Sequence, residues 1–320
     1  MILGFFWAVG SVFASSLASV VMDTLKWRYY LLIVSTPLLL FLIGSFWIPE
    51  SPRYLLSTGQ VEECKGIIDR IAESNGKISP KGDLRNNEAE SKHESYCDIM
   101  RSIYHEQDLF HSLILLVVMM FTTEFCYYGF ALLTTSMVQT GIDGCHPHPP
   151  TLNTTTNSSC QRLTDTDYID LIVTTLAEFP GVIVGFLLIN SIGRRNSMLV
   201  QLSLATLSFL LLAFCTSRSI TTILVFITRA FVSGCVQTLY VYSSEVLPTN
   251  VRGVGVGIAS MIGRSGAIVT PLVAQVLIHE SFYWVIVAYA VPLVSCALCT
   301  WLLKIETNQR LLQDRANDVK

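Results

Sequence analysis

Four ionisable residues stand inside long apolar stretches of this chain: Glu124, Glu178, Arg229 and Arg264. Charges in hydrocarbon are costly, so such residues are candidates for a substrate or ion pathway. Glu124 lies mid-stretch in Thr122-Thr123-Glu124-Phe125-Cys126-Tyr127-Tyr128-Gly129. An acid so placed shifts its protonation equilibrium when unpaired, which makes Glu124 a candidate proton site. Glu178 precedes Phe179-Pro180-Gly181. Pro180 frees a backbone carbonyl and can kink the helix there. Arg264 sits between Gly263 and the Ser265-Gly266 pair, where little bulk keeps a neighbour away. Tyr127, Tyr128 and Gln237 are polar neighbours able to line the same path. A second reading stays open: a Glu–Arg pair that joins helices and meets no ligand. An aromatic in a membrane helix is more often packing than a ligand contact.

The elements that must position these residues are membrane helices. Of 320 residues, 51% are apolar and only 14% charged, with mean hydropathy +0.51. Soluble chains place about a quarter of their residues in charge. Crossing the bilayer core takes about 20 apolar residues. About eight such segments are visible, near 4–22, 29–48, 111–138, 168–190, 197–216, 220–243, 255–278 and 283–303. The first opens almost at Met1 without a basic leader, so it reads as a span and not as a cleaved signal. It carries Gly10, Ser11, Ala14, Ser15, Ser16, Ala18 and Ser19, residues small enough for close helix approach.

Charge then orients the spans. Residues 49–108 form the one long polar stretch, with Arg53, Lys65, Arg70, Lys77, Lys81, Arg85, Lys92 and Arg101. The positive-inside bias places it in the cytosol. Within it Val61, Cys64, Ile67, Ile68 and Ile71 fall at helical spacing, and Gly76 follows as a C-cap. Both termini are then cytosolic, and residues 139–167 are outside or lumenal. That loop holds Asn153-Thr154-Thr155 and Asn157-Ser158-Ser159, two N-glycosylation acceptors. Cys145 and Cys160 bracket them in an oxidising compartment, which favours a disulfide over two free thiols. The net charge of −3 gives no footprint for nucleic acid. No C-x-x-C pair points to zinc, and no G-x-x-x-x-G-K-[ST] points to ATP. No cofactor is expected, and no catalytic constellation points to an enzyme. The partners expected are the lipid bilayer and a small molecule or ion.

Three strings carry a resemblance. Pro49-Glu50-Ser51-Pro52-Arg53-Tyr54-Leu55 closes the second segment. Glu245-Val246-Leu247-Pro248-Thr249-Asn250-Val251-Arg252-Gly253-Val254-Gly255 follows the sixth. Ile305-Glu306-Thr307-Asn308-Gln309-Arg310 follows the eighth and echoes the first string. They resemble the P-E-S-P-R-[FY]-L, E-x-x-P-T-x-x-R-G-x-G and P-E-T-K-G motifs of sugar-porter-like members of the major facilitator superfamily. With Glu178-Phe179-Pro180-Gly181 and Arg229-Ala230-Phe231-Val232-Ser233-Gly234, the chain resembles the synaptic vesicle 2-related group of that superfamily.

The resemblance implies an all-α multi-pass membrane protein with an incomplete major facilitator fold, its eight segments matching helices 5–12 of twelve. Gly257 lies 49 residues before Glu306, and Gly4 lies 46 before Glu50, so Met1 falls where the first half would carry its own R-G-x-G string. The division expected is 1–48 for the last two helices of the N-terminal bundle, 49–108 for the loop between bundles, 109–304 for the C-terminal six-helix bundle and 305–320 for the tail. The function implied is alternating-access transport of a small organic solute or ion, with this short form inactive alone. The competing reading is a non-transporting vesicle or membrane glycoprotein, a scaffold or a regulator of the full-length form. Pairing with a second copy or with the full-length form would supply the missing wall. In the family a cytosolic charge network shuts the inward gate. The matching residues are Glu50, Arg53, Arg194, Arg195, Glu245, Arg252 and Glu306. Asn190-Ser191-Ile192-Gly193-Arg194-Arg195 departs from the family's D-R-x-G-R-R by losing the acid and the first base. In organic-ion transporter relatives the arginine of an A-S-R-x-G-S string lines the central cavity, which makes Arg264 the first choice for substrate contact.

The orientation is directly testable. Glycosidase treatment is expected to shift gel mobility, and the pair Asn153→Gln/Asn157→Gln is expected to abolish the shift. A loop that carries no glycan and is reached only from the cytosol would reverse the orientation.

Overall fold

The computed structural model describes residues 2–50, 60–79, 107–140, 165–214, 217–247, 249–280 and 282–307, with Pro52, Leu55, Gly82 and Tyr104. The regular elements among them are helical. Among the described residues, eight helical spans are long and apolar enough to cross a membrane. They begin and end within three residues of the segments expected from hydropathy. By contact the chain divides into two units, residues 1–24 with 100–320, and residues 25–99.

The smaller unit holds α1's successor in the chain, α2 (Lys26–Ser45), and α3 (Val61–Ser74); α1 itself is Ile2–Thr24. α2 is apolar on every face and carries Pro37 in its interior. α3 is amphipathic, as its spacing predicts. Glu62 and Glu63 occupy its first turn, where the helix dipole favours acids. Its end is a Schellman turn. Gly76 takes φ +62°, its N–H bonds the Glu73 carbonyl at 3.0 Å, and the Lys77 N–H bonds Ala72 at 2.9 Å. Cys64 is buried and donates to the Pro52 carbonyl at 3.1 Å.

The larger unit adds six spans to α1: α4 (Gln107–Thr140), α5 (Asp165–Leu176) continued by α6 (Glu178–Ile192), α7 (Arg194–Leu211), α8 (Arg218–Val246), α9 (Thr249–Glu280) and α10 (Phe282–Leu302). α5 and α6 are one span broken at Ala177. Pro180 has no N–H for the Leu176 carbonyl, and the ladder resumes with Gly181 bonding Ala177 at 3.2 Å. α4 is the axis of the unit, with 67% of its apolar window buried, the highest share of the eight. It packs on α8, α9 and α10, while α1 packs on α5 and α6. Around its middle an aromatic cluster closes the core. Phe125, Phe130 and Phe209 surround Tyr289, whose hydroxyl hydrogen-bonds that of Thr270 at 2.8 Å. The outward face of α10 is an exposed apolar stripe of Val287, Val291, Val294 and Leu298, with Trp284 and Trp301 near its two ends, as suits a helix that meets lipid.

Two helix crossings depend on glycine. A Cβ on Gly234 of α8 would stand 2.5 Å from the Gly181 carbonyl oxygen of α6. A Cβ on Gly266 of α9 would stand 2.6 Å from the Phe121 carbonyl oxygen of α4. Backbone cannot give way as a flexible side chain can, so these helices touch only because the side chains are missing. Two boundaries differ from the sequence expectation. α8 runs on to Val246 and α9 begins at Thr249, so Glu245 stands in the last turn of one helix and Arg252 in the first turn of the next, not in a loop.

Gly234→Val is expected to push α6 and α8 apart. Overpacking of this kind costs about 1–3 kcal/mol, read as a lower midpoint in thermal unfolding of the purified protein. An exposed glycine such as Gly257, with open space around its Cβ position, provides the matched control.

Candidate functional site

Each of the four charges predicted inside spans has a partner, and they form two clusters on neighbouring faces of α4. In the first, Gly263 brings α9 against α4, its Cβ position 3.3 Å from the Glu124 Cγ. Arg264 on the next step of α9 then reaches the α4 side chains. Its Nη1 donates to the Tyr128 hydroxyl at 2.8 Å and lies 3.7 Å from the Glu124 Oε2. Tyr240 of α8 donates to the Glu124 Oε1 at 2.9 Å. Glu124 is 4% exposed, whereas the Arg264 side chain is 53% exposed. One carboxylate oxygen is thus held by a tyrosine hydroxyl and the other faces the guanidinium, which is the more exposed charge of the pair.

The second cluster centres on Glu178, at the break between α5 and α6. Arg229 of α8 donates to its Oε1 at 3.3 Å. The Tyr127 hydroxyl donates to the same oxygen at 2.9 Å and accepts from the Trp7 indole N–H of α1 at 2.7 Å. Glu178 and Arg229 are both buried. Removing either would strand its partner, at about 3–5 kcal/mol. The two clusters meet on α4, where the Tyr127 and Tyr128 rings stand edge to face with centroids 5.3 Å apart. Gln237 belongs to neither. Its side chain lies against Gly4 of α1, within 2.6 Å of that residue's Cβ position.

A third cluster lies at the opposite end of α8 from Arg218. Arg194 grips Glu245 with two hydrogen bonds, Nε to Oε2 and Nη2 to Oε1, both 2.9 Å. The fork geometry suits a guanidinium and a carboxylate. Thr307 adds its hydroxyl to the Glu245 Oε2 at 2.6 Å. Glu306 accepts from the backbone N–H of Arg194 at 2.9 Å and of Arg195 at 3.1 Å. It therefore caps the start of α7, where an anion complements the dipole. Gly193 makes room for it at φ +84°, a backbone state glycine adopts freely. The Arg195 side chain closes the other end of the arrangement, donating to the Thr300 and Trp301 carbonyls of α10 at 3.3 and 2.5 Å.

The gate residues expected from the sequence thus converge for Arg194, Arg195, Glu245 and Glu306. Arg252 instead donates to the Leu247 carbonyl at 3.2 Å. Glu50 is exposed in the smaller unit. Arg53, Asn153, Asn157, Cys145 and Cys160 lie outside the described residues.

Several members of these polar clusters and ties escaped the sequence. Tyr240 follows Arg229 by three helical turns on α8, which was the available signal. Trp7 gave none, being one apolar aromatic among many. Arg218 was missed at the α8 start, where it holds Asp167 at 2.9 Å and Asp170 at 2.6 Å. Gln201 is fully buried and ties α7 to α8 through Thr238 at 3.3 Å.

Residues 1–144 match the family described as Sugar (and other) transporter, and residues 167–318 match the Major Facilitator Superfamily. The chain belongs to the major facilitator superfamily. It is 37% identical over 99% of its length to the synaptic vesicle 2-related protein of Pongo abelii. It is 38% identical over 99% to that of Rattus norvegicus, and 31% identical over 97% to the organic cation/carnitine transporter 7 of Arabidopsis thaliana. It spans 57% of each of the first two relatives and 66% of the third. As a major facilitator protein it is a multi-pass integral membrane protein of a transporter family and not an enzyme. Among the described residues, the helical, multi-span architecture expected from the sequence is the one observed.

The Arg194–Glu245 pair is partly exposed, its side chains at 19% and 22%. Its coupling should fall between an exposed and a buried pair, at about 1–2 kcal/mol. A double-mutant cycle of Arg194→Ala and Glu245→Ala, read by thermal unfolding, is expected to return that value. Additive effects would show that the pair contributes nothing of its own.

Proposed function

We propose that this chain forms part of a secondary transporter of a small organic solute or ion, working by alternating access. In this reading α1 and α2 belong to one bundle, matching helices 5 and 6, and α4 to α10 form the C-terminal bundle of six spans. The observation that supports it best is Arg264. It is a permanent cation in the middle of an apolar span, half exposed, with its acidic partner buried behind it. A charge so placed belongs on a water-filled path and not against lipid. Tyr128 and Tyr240 beside it provide hydroxyls for a polar substrate. Arg194, Arg195, Glu245 and Glu306 act as the cytosolic gate. The loop at 139–167 is extracytosolic and carries glycans on Asn153 and Asn157. The transporter name of the plant relative supports the solute class.

These 320 residues hold six spans of one bundle and two of the other. Rocking needs two bundles around a shared site. We therefore read the chain alone as inactive, or as active only when paired with a second copy or a longer form. The alternative is a non-transporting glycoprotein that regulates the longer form. The half-exposed Arg264 speaks against it, since a purely structural ion pair has no need of an open face.

The test is uptake in liposomes. A form carrying all twelve expected helices is screened with carnitine and other small organic ions and sugars. Arg264→Ala in that form is expected to lower transport at least tenfold while expression stays near normal. Unchanged transport would remove Arg264 from the pathway. The 320-residue chain as a monomer is expected to show no saturable uptake.

A further inference from the structure

We propose that Glu178 is a proton-exchanging site within the membrane, with Arg229 as its counter-ion. Glu178 is 1% exposed. Both of its hydrogen bonds end on one oxygen, Oε1, which receives Tyr127 and Arg229. The other oxygen, Oε2, is buried and receives no hydrogen bond from the described residues. A fully ionised carboxylate spreads its charge over both oxygens and asks for donors at each. Here one oxygen is supported and the other is bare, an arrangement that leaves Oε2 open to carry a proton. The cation opposite is held loosely. Arg229 makes a single contact at 3.3 Å, in contrast to the two 2.9 Å bonds between Arg194 and Glu245.

Among the described residues, few charged or titratable groups face the carboxyl. From α8 the charged group facing it is Arg229, and from α4 the titratable one is Tyr127. α1 brings Trp7, which does not titrate, and Ser11, which stands beside the carboxylate. The Ser11 hydroxyl gives its own proton to the Trp7 carbonyl at 3.1 Å. α7, on the far side of α6, brings only the neutral Gln201 toward Gly185 and Gly234. Asp170 of α5 lies two turns away and is held by Arg218.

The step is simple. A proton from water forms an O–H bond at Oε2, the carboxylate loses its charge, and its release to water restores the pair. With Glu178 neutral, the buried guanidinium lacks its counter-ion and must meet water or an anion. Proton binding therefore favours opening of this cluster, which the break at Ala177 and the Tyr127–Tyr128 step connect to the Arg264 cluster. That coupling rests on the transporter reading. The proton site itself is tested without any transported solute.

The 320-residue chain is purified into lipid nanodiscs, and infrared difference spectra are recorded between acid and alkaline pH. A C=O band of a protonated buried carboxyl is expected to grow on acidification. It should vanish in Glu178→Gln and persist in Glu124→Gln, each variant first checked for helical circular dichroism and monodisperse elution. If Glu178→Gln does not fold, Glu178→Asp and Tyr127→Phe decide the matter, because each should displace the band in frequency. A missing band in the wild-type chain, a band that survives Glu178→Gln, or one that neither substitute variant moves would overturn the proposal.

Discussion

Every charge carried into the membrane must be matched there, and that requirement organises the larger unit. Water can no longer solvate Glu124 or Glu178, so each needs donors from other helices. Glu124 draws Tyr240 from α8 and Arg264 from α9. Glu178 draws Arg229 from α8 and Tyr127 from α4. α4 and α8 therefore contribute to both clusters, and α4 does so through two adjacent tyrosines. A helix that contributes to two polar clusters cannot slide or turn without breaking one of them. Apolar packing alone would not fix register this way, because between helices in lipid the hydrophobic drive is absent.

Polar matching also needs the backbones to come close, and glycine provides the approach. Gly263 and Gly266 set α9 on α4, and Gly181, Gly185 and Gly234 set α6 on α8. Except for Gly185, these glycines lie within five residues of the charge that the crossing serves. Gly263 precedes Arg264, Gly181 is three residues after Glu178, and Gly234 is five after Arg229. With side chains at these glycines, the ionic groups would stand too far apart to meet. The small residues and the charged ones are thus a single device in two parts.

The spans were legible in the sequence because a bilayer demands about 20 apolar residues and little else looks like that. The intramembrane charges were legible for the converse reason, being rare where they stand. Their pairing was not. Glu178 faces Arg229 and Glu124 faces Arg264 because of helix register and crossing angle, which no local pattern encodes. Tyr240 and Trp7 were passed over because aromatic residues in membrane helices mostly pack. The role of Glu306 was readable only as a motif. Its physical part, a cap on the first N–H groups of α7, depends on the chain after α10 returning to Gly193. The family's acid at position 190 is absent here, and Asn190 is exposed. Yet the core of the third cluster, Arg194 with Glu245, forms without it.

The three clusters also differ in how firmly they hold. At the cytosolic end expected for Glu245, α7, α8 and the segment after α10 are locked by a forked pair, a cap and two carbonyl contacts. Within the membrane, the Arg229 contact is single and the Arg264 contact is longer still, at 3.7 Å. The tight bonds stand between helices of one bundle, where rigidity lets the bundle move as a body. In the transport reading proposed above, the loose ones stand where a proton or a solute would enter. In an alternating-access cycle the motion would then fall on the face that exposes Arg264, since the backbone contacts of α6 with α8 and of α9 with α4 leave no slack inside the bundle. A rigid body with a weakly satisfied charged face is what that cycle needs, because the ligand can only shift the equilibrium by contacts that the protein has not already made for itself.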